Sequence, residues 1–369
     1  MDSELKYQIA LTRIDGVGCS LAKNLVRFCG SASAVFSEKR AVLKSIPGIG
    51  SITAENIFRF RSFSDIEAEI IRHEKHGISS LFFMDDAYPQ RLRHCDDGPV
   101  LLYYKGKADL NSRRMISVVG TRRSTIYGKQ FTDDLLQALS IYGVTIVSGL
   151  ASGTDTNAHR AALKNGLPTI GVLGHGFSTM FPRDNRPLAE EMTMQGGILT
   201  EYPFDMPGSK ENFPKRNRIV AGISDALIVV ESGIRGGSMI TADLANQYNK
   251  DVYALPGKTS DYWSQGCNRL ISNHQAAIID NVPNLIRLLG FDLPSRKQQK
   301  SVQMELISEL SPDEQQIYKV LDEGAVGIDE LHYRSEMPIS KLVMTLLDME
   351  FRKLIQCLPG KMYALVNRS

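Results

Sequence analysis

Between Phe213 and Ala245 the chain gathers residue types that suit an anion. The segment FPKRNR places Lys215, Arg216, Asn217 and Arg218 in succession behind Phe213, as a basic, polar turn ahead of a short helical pattern. Ala226 to Val230 follows as an unbroken apolar run. It is too short for a helix and rich in β-branched residues, so it reads as a buried parallel strand. Gly233, Gly236 and Gly237 then open directly into a helical pattern that starts at Ser238. A strand, a glycine turn and a helix bring backbone N–H groups and a helix N-terminus in front of a phosphate. A second strand-to-helix turn, Gly120-Thr121-Arg122-Arg123-Ser124, joins a glycine to two guanidinium groups and two hydroxyls. Arginine, hydroxyl and backbone N–H donors converging on one point suit a phosphate. The chemistry implied is capture of a nucleotide or a polyanion.

The remaining polar residues favour structural roles. Asp155 is placed to cap the helix that follows SGLASGT, and His159 to make a helix-to-sheet contact. No nucleophile accompanies them, so no catalytic residue is assigned. His175, in LGHG, either touches a ligand or fills its loop. Ser264 is a candidate helix cap, and Cys267, with no paired His or Asn, reads as buried filler. His73 and His76 lie three residues apart on a helical pattern, but no third ligand is in view, and they are read as a solvated face. The five cysteines are scattered, with no CxxC pair. That argues against zinc and a disulfide framework and suits a reducing cytosol. No GxGxxG occurs, so neither a dinucleotide nor any other cofactor is expected.

The net charge is only +2, so a nucleic-acid site must be a local basic patch. No stretch reaches the length of a membrane span, and MDSELKYQIA lacks the apolar core of a signal peptide. A cytoplasmic location and no membrane partner are expected.

These side chains need a scaffold. From about residue 113 to 290, strand-like and helical segments alternate, which predicts an α/β fold with a mainly parallel sheet covered on both faces. In such sheets ligands sit beyond the carboxyl ends of the strands, where the glycines and arginines collect. Residues 66–104 add further strand-like runs, giving an α/β unit over 66–290. Residues 1–65 carry two echoing turns, Gly16-Val17-Gly18 and Gly48-Ile49-Gly50, each opening an amphipathic helix. They resemble a tandem helix-hairpin-helix, which either approaches a DNA backbone or serves as plain helical packing. Residues 291–310 read as a linker, and 311–369 as three helices and a hairpin resembling a winged helix. Its third helix, ISKLVMTLLDME, offers only Lys341 and ends acidic, so protein contact or regulation is favoured over duplex reading.

The ordered series VVGTRRSTIYG, SGLASGTDTNAHRAAL, TIGVLGHGFSTMFPRDN, GGILTEYP, FPKRNRIVAGIS, ALIVVES, GGSMITADLA, YALPG and SQGCNRLI resembles the DNA-processing protein A (DprA/Smf) family. The resemblance implies an extended Rossmann-like domain that binds single-stranded DNA without catalysis, forms homodimers and helps load the RecA recombinase in natural transformation. It implies phosphate contact at Gly120, Thr121 and Arg122. It also implies a basic pocket lined by Phe213, Lys215, Arg216, Asn217 and Arg218 over Gly236, Gly237 and Ser238. Phe213 would be a base-stacking platform. Thr154, Phe181 and Gln275-Ala276 depart from the family pattern without removing a phosphate contact. A Rossmann-like phosphoribohydrolase is the competing expectation. GGSMITADL resembles only half of that loop, and Glu231 is the one obvious acid at a strand end.

Overall fold

Alternation of apolar residues along each central strand divides the chain's core between two faces of one sheet. The computed structural model describes residues 3–291 and 310–365, apart from 323, 325, 336, 353 and 359–361. The linker expected at 291–310 falls almost wholly outside the described residues. The strands are β1 (Ser79–Phe82), β2 (Leu101–Gly106), β3 (Met115–Val119), β4 (Thr145–Ser148), β5 (Thr169–Val172), β6 (Gly197–Thr200), β7 (Ala226–Val229), β8 (Asp251–Ala254) and β9 (Ala277–Ile278). They form one sheet in the order β1-β2-β6-β5-β4-β3-β7-β8-β9. Strands β6 to β9 and everything between them pair in parallel, and β2 joins β6 antiparallel. Ile116, Val118, Ile146 and Ile228 face one apolar cluster, while Val119, Val147, Leu227 and Val229 face the other. A side-chain period of two sends neighbours to opposite faces, so a continuous apolar run is what a doubly covered strand requires.

The helices that cover those faces are α8 (Ile126–Leu139) and α9 (Thr154–Lys164), packed against each other on one side, and α11 (Asn212–Gly222) and α12 (Gly237–Gln247) on the other. The chain leaves β3 in one direction to build β4, β5 and β6, then returns to place β7 on the opposite side of β3. The sheet therefore has its topological switch beside β3, where a crevice opens at the carboxyl edge.

Residues 1–291 form one compact unit. Its N-terminal helices are α1 (Ser3–Leu11), α2 (Cys19–Cys29), α3 (Ala32–Ser37), α4 (Arg40–Ser45) and α5 (Ser51–Arg59). The two hairpin glycines, Gly16 and Gly48, have φ of +84° and +86°. A side chain would be strained there. Each hairpin packs on the helix opened by the other, with Gly16 against Thr53 and Gly48 against Leu21. The next helix, α6 (Phe63–Lys75), corrects one expectation. His73 is buried, not solvated. Ile66, Glu69, Ile70 and His73 repeat at helical spacing and face the sheet, so His73 lies on Tyr103 with ring centroids 4.5 Å apart. Glu69 accepts from Arg13 and from the Phe204 amide, which ties the helical region to the sheet.

The second unit has its own apolar core. It comprises α15 (Pro312–Leu321), β10 (Val326–Gly327), α16 (Ile328–Ser335), α17 (Ile339–Phe351), β11 (Ile355–Leu358) and β12 (Met362–Leu365). Ser311 and Glu314 close a reciprocal capping box at the start of α15. Three helices and a small β10-β12-β11 sheet make a winged helix. The lone cation of α17, Lys341, is paired with Asp313 at 2.7 Å. Val343, Met344, Leu347 and Phe351 are exposed on the same helix.

Candidate nucleic-acid interface

A cleft of about 560 Å³ lies at the carboxyl edge of the sheet. The turn after β3 gives one wall. Thr121 is buried, and its hydroxyl accepts from the Arg123 amide at 3.1 Å, which turns the backbone sharply. Arg122 and Arg123 line the cleft and are exposed. Neither has an ion-pair partner among the described residues. Thr154, noted as a departure from the family pattern, sits behind Gly120 and donates to the Thr121 carbonyl at 3.2 Å. The extra hydroxyl is thus satisfied, as a buried polar group must be. Ser124 departs from expectation. It does not line the cleft, and its hydroxyl faces Glu231 at 3.4 Å.

The opposite wall is α11. FPKRNR lies inside this helix, not in a turn before it. Phe213, Arg216, Asn217 and Val220 repeat at helical spacing and face the cleft. Lys215 and Arg218 point away from that face, so the expected single basic wall is corrected by helical geometry. Lys215 is solvent-exposed. Arg218 is largely buried and donates to Glu201, with Cys19 of α2 beside it at 3.8 Å. Its role is to join the helical region to the sheet.

Arg216 belongs to the floor. It is buried and donates to the carbonyls of Gly149 and Val172, at the ends of β4 and β5. A β-carbon on Gly149 would lie 2.5 Å from the guanidinium, so only glycine leaves room for it. Burial weakens the hold of Arg216 on its proton, and the charge of nearby Asp155 opposes that loss. Burial likewise raises the Asp155 carboxyl, against the pull of Arg216. Asp155 does not occupy the cap position, which is Gly153. Two residues into α9, it accepts from the Ala151 amide at 3.2 Å.

Two aromatic rings close one end of the cleft. Phe213 packs against Phe181 with centroids 5.3 Å apart, and Phe181 is half exposed. His175 holds the Phe181 loop. Its Nδ1 lies 2.8 Å from the Gly176 carbonyl, and its Nε2 accepts from the Phe181 amide at 3.2 Å. That pattern assigns the neutral tautomer and a loop-filling role. The glycine turn after β7 forms the rest of the floor. Gly236, Gly237 and Ser238 line it, and Ser238 donates to Ser232 at 2.7 Å. Asn217 reaches across to the Gly237 carbonyl at 3.3 Å. Lys210 and Trp263 also line the cleft and were not legible in the sequence. Lys210 sits three residues before Phe213, on the same side of the helix entrance, and that spacing was its only signal. Ser264 occupies the cap position of α13 (Gln265–Ser272) without a capping bond from its side chain, and Cys267 is fully buried.

His159 meets Thr169 Oγ1 at 2.6 Å from Nδ1, the expected helix-to-sheet contact. Burial, helped by Arg216, depresses it to about 3 from an ordinary 6.5. Below pH 6.5 the unfolded chain takes up a proton that the folded state refuses. Stability contributed by this group is therefore lost as pH falls from about 6.5 towards 3. Asp155, raised on folding, contributes in the opposite sense. Subtracting the unfolding free energies of His159→Gln from those of the parent between pH 7 and 4 is expected to isolate this acid-side loss, at about 1.4 kcal/mol per unit.

The fold and cleft define a class: an extended Rossmann-like protein with a crevice at the carboxyl edge of its sheet, preceded in the chain by a helix-hairpin-helix tandem and followed by a winged helix. The DNA recombination-mediator protein A family model matches residues 79–290. The chain belongs to that family. A SAM-like helix-hairpin-helix tandem matches residues 9–60, and the DprA winged helix domain residues 304–361. Protein Smf of Synechocystis is 33% identical over 305 residues, 82% of this chain and 77% of that protein. DNA processing protein DprA of Streptococcus pneumoniae is 38% identical over 235 residues, 63% of this chain and 82% of its own. An X-ray structure of the latter aligns with a TM-score of 0.67 at 31% identity, covering 76% of this chain and 97% of that one. Helicobacter pylori DNA processing protein A, solved to describe its single-stranded DNA binding mode, aligns with a TM-score of 0.54 at 34% identity, covering 58% and 96%.

Proposed function

We propose that this chain binds single-stranded DNA in the cleft and acts as a non-catalytic recombination mediator. It protects incoming strands and helps load a RecA recombinase in natural transformation, as a homodimer in the cytoplasm. The observation that carries the reading is the pairing of exposed Arg122 and Arg123, without an ion-pair partner among the described residues, with the open Phe181–Phe213 pair in one cleft. Guanidinium groups hold the backbone, and aromatic faces accept any base. The relative solved for its single-stranded DNA binding mode supports the ligand class. No helix among the described residues is long and apolar enough to cross a membrane. Phe213→Ala is expected to weaken binding of a fluorescent oligo-dT roughly 5- to 100-fold by anisotropy. Unchanged affinity would remove the stacking role.

The hydrolase alternative fares poorly at Glu231. Its carboxylate is buried and accepts from the Thr125 amide at 2.9 Å and the Thr125 hydroxyl at 2.5 Å. That bonding commits the Glu231 carboxylate to the start of α8, and Glu231 does not line the cleft. Incubation with nucleoside monophosphates is expected to release no free base. Release that Glu231→Gln abolishes would restore the enzyme reading.

For the winged helix we propose protein contact rather than duplex reading, because α17 shows apolar side chains where a groove reader needs polar ones. Removing residues 304–369 is expected to leave oligo-dT affinity within about threefold. A larger loss would assign this unit to DNA.

A further inference from the structure

We propose that the cleft carries a second nucleobase subsite, on the ring of Trp263, at the end opposite Phe213. The proposal rests on the single-stranded DNA reading above and extends it from one stacking platform to two.

Trp263 is the only tryptophan in the chain. It lies in the loop between β8 and α13 and lines the cleft. Its ring is half-buried and, among the described residues, joins none of the apolar cores. A large ring left out of every core, at the wall of a ligand cleft, is not explained by folding. Burial is where tryptophan ordinarily contributes most to stability.

The loop is held firmly enough to serve as a platform. The Trp263 carbonyl accepts from the Ser232 amide at 2.7 Å, and the Ser232 carbonyl accepts from the Gly266 amide at 2.8 Å. Those bonds splice the loop to the glycine turn after β7. Tyr262 packs edge-on against Trp263, with centroids 4.7 Å apart and planes at 82°. The Tyr262 ring also covers Gly233, where a β-carbon would come within 2.9 Å of it. Arg235, exposed in that same turn, has no ion-pair partner among the described residues.

The sheet order sets the separation of the two platforms. Phe213 and Phe181 sit at the end of β5, where the Phe213 ring packs on Gly174. Trp263 follows β8 in the chain, but its carbonyl is bonded to Ser232, just past β7. Between β5 and β7 lie β4 and β3. Three strand spacings of about 4.8 Å make roughly 14 Å. One base cannot bridge that distance. A stacked strand advances about 3.4 Å per nucleotide, so the span accommodates up to roughly four or five nucleotides. Arg122 and Arg123, after β3, stand between the platforms. The arrangement is a backbone clamp with a base-stacking ring at either side. The ligand it fits is a single strand several nucleotides long, whose unpaired bases are free to stack.

The test uses the full chain and its single tryptophan. Oligo-dT of increasing length is titrated while Trp263 fluorescence and the anisotropy of a labelled oligonucleotide are followed in parallel. Oligomers of about eight nucleotides are expected to quench the fluorescence, and dT3 to quench it much less at equal occupancy. Trp263→Ala is expected to weaken the longer oligomer about 5- to 100-fold, and Trp263→Phe, which keeps an aromatic face, to restore affinity within about threefold. Thermal melts of both variants separate loss of stacking from loss of fold. If the oligomer binds in an Arg122-dependent way while fluorescence stays constant and Trp263→Ala binds normally, the second subsite is overturned and the single-stranded reading stands. If no oligomer binds the parent protein, both fall together.

Discussion

Replacing Arg122 and Arg123 together with alanine is expected to weaken oligo-dT binding on the order of 100-fold. The two guanidinium groups are exposed in the cleft, and neither is spent on a carboxylate among the described residues. Each is free to make a charge-assisted bond to a phosphate, worth about 1.5–3 kcal/mol. The affinity loss should carry an electrostatic mark. Each lost contact to a single strand flattens the dependence of log K on log salt by about 0.7, so the double variant should lose about 1.4 from the slope. Lys215→Ala is the control. It is equally basic and only eight positions before Ile223, yet lies off the cleft face of α11, and it should change affinity less than about threefold. Titrations at several salt concentrations measure both quantities. Equal losses for Lys215→Ala and the double variant would show that the strand runs over the outer face of α11 instead.

Arg216→Ala is expected to act on folding rather than on contact with the ligand. The guanidinium satisfies the carbonyls that end β4 and β5, and its charge offsets the buried Asp155. Removing it leaves those acceptors dry and a carboxylate without its counter-charge. Breaking a buried charge pair in this way costs about 3–5 kcal/mol. Denaturant unfolding of the first unit should show a midpoint shift with little change in slope. Lysine should rescue poorly, because one ammonium cannot reproduce the planar fork that serves two carbonyls. A variant with parental stability but lost oligonucleotide binding would instead make Arg216 a direct phosphate ligand.

The contrast between these arginines shows where sequence reasoning ran out. In FPKRNR the cations are adjacent, and adjacency invites a single basic wall. A helix turns about 100° per residue, so Arg216 goes inward to the floor, Lys215 out to solvent and Arg218 back towards Glu201 and α2. Neighbours in sequence become strangers in space once the segment is helical. His73 shows the same effect in reverse. Read alone, it belongs to a charged helix, but its spacing from Ile66 and Ile70 puts it against Tyr103. Trp263 and Lys210 reach the cleft from separate loops, and no local pattern marks them.

By itself the sequence determined the α/β architecture, the nine strands of its main sheet and the family, because each rests on local periodicity or on motifs in fixed order. It also marked Gly120 to Arg122, Phe213 and Gly236 to Ser238 as one neighbourhood, since strand-to-helix turns of a parallel sheet must gather at its carboxyl edge. Tertiary structure alone decided which cations face the cleft and which are consumed by the protein. That outcome depends on helix rotation, on burial, and on partners such as Glu201 and the Gly149 carbonyl that lie far away along the chain.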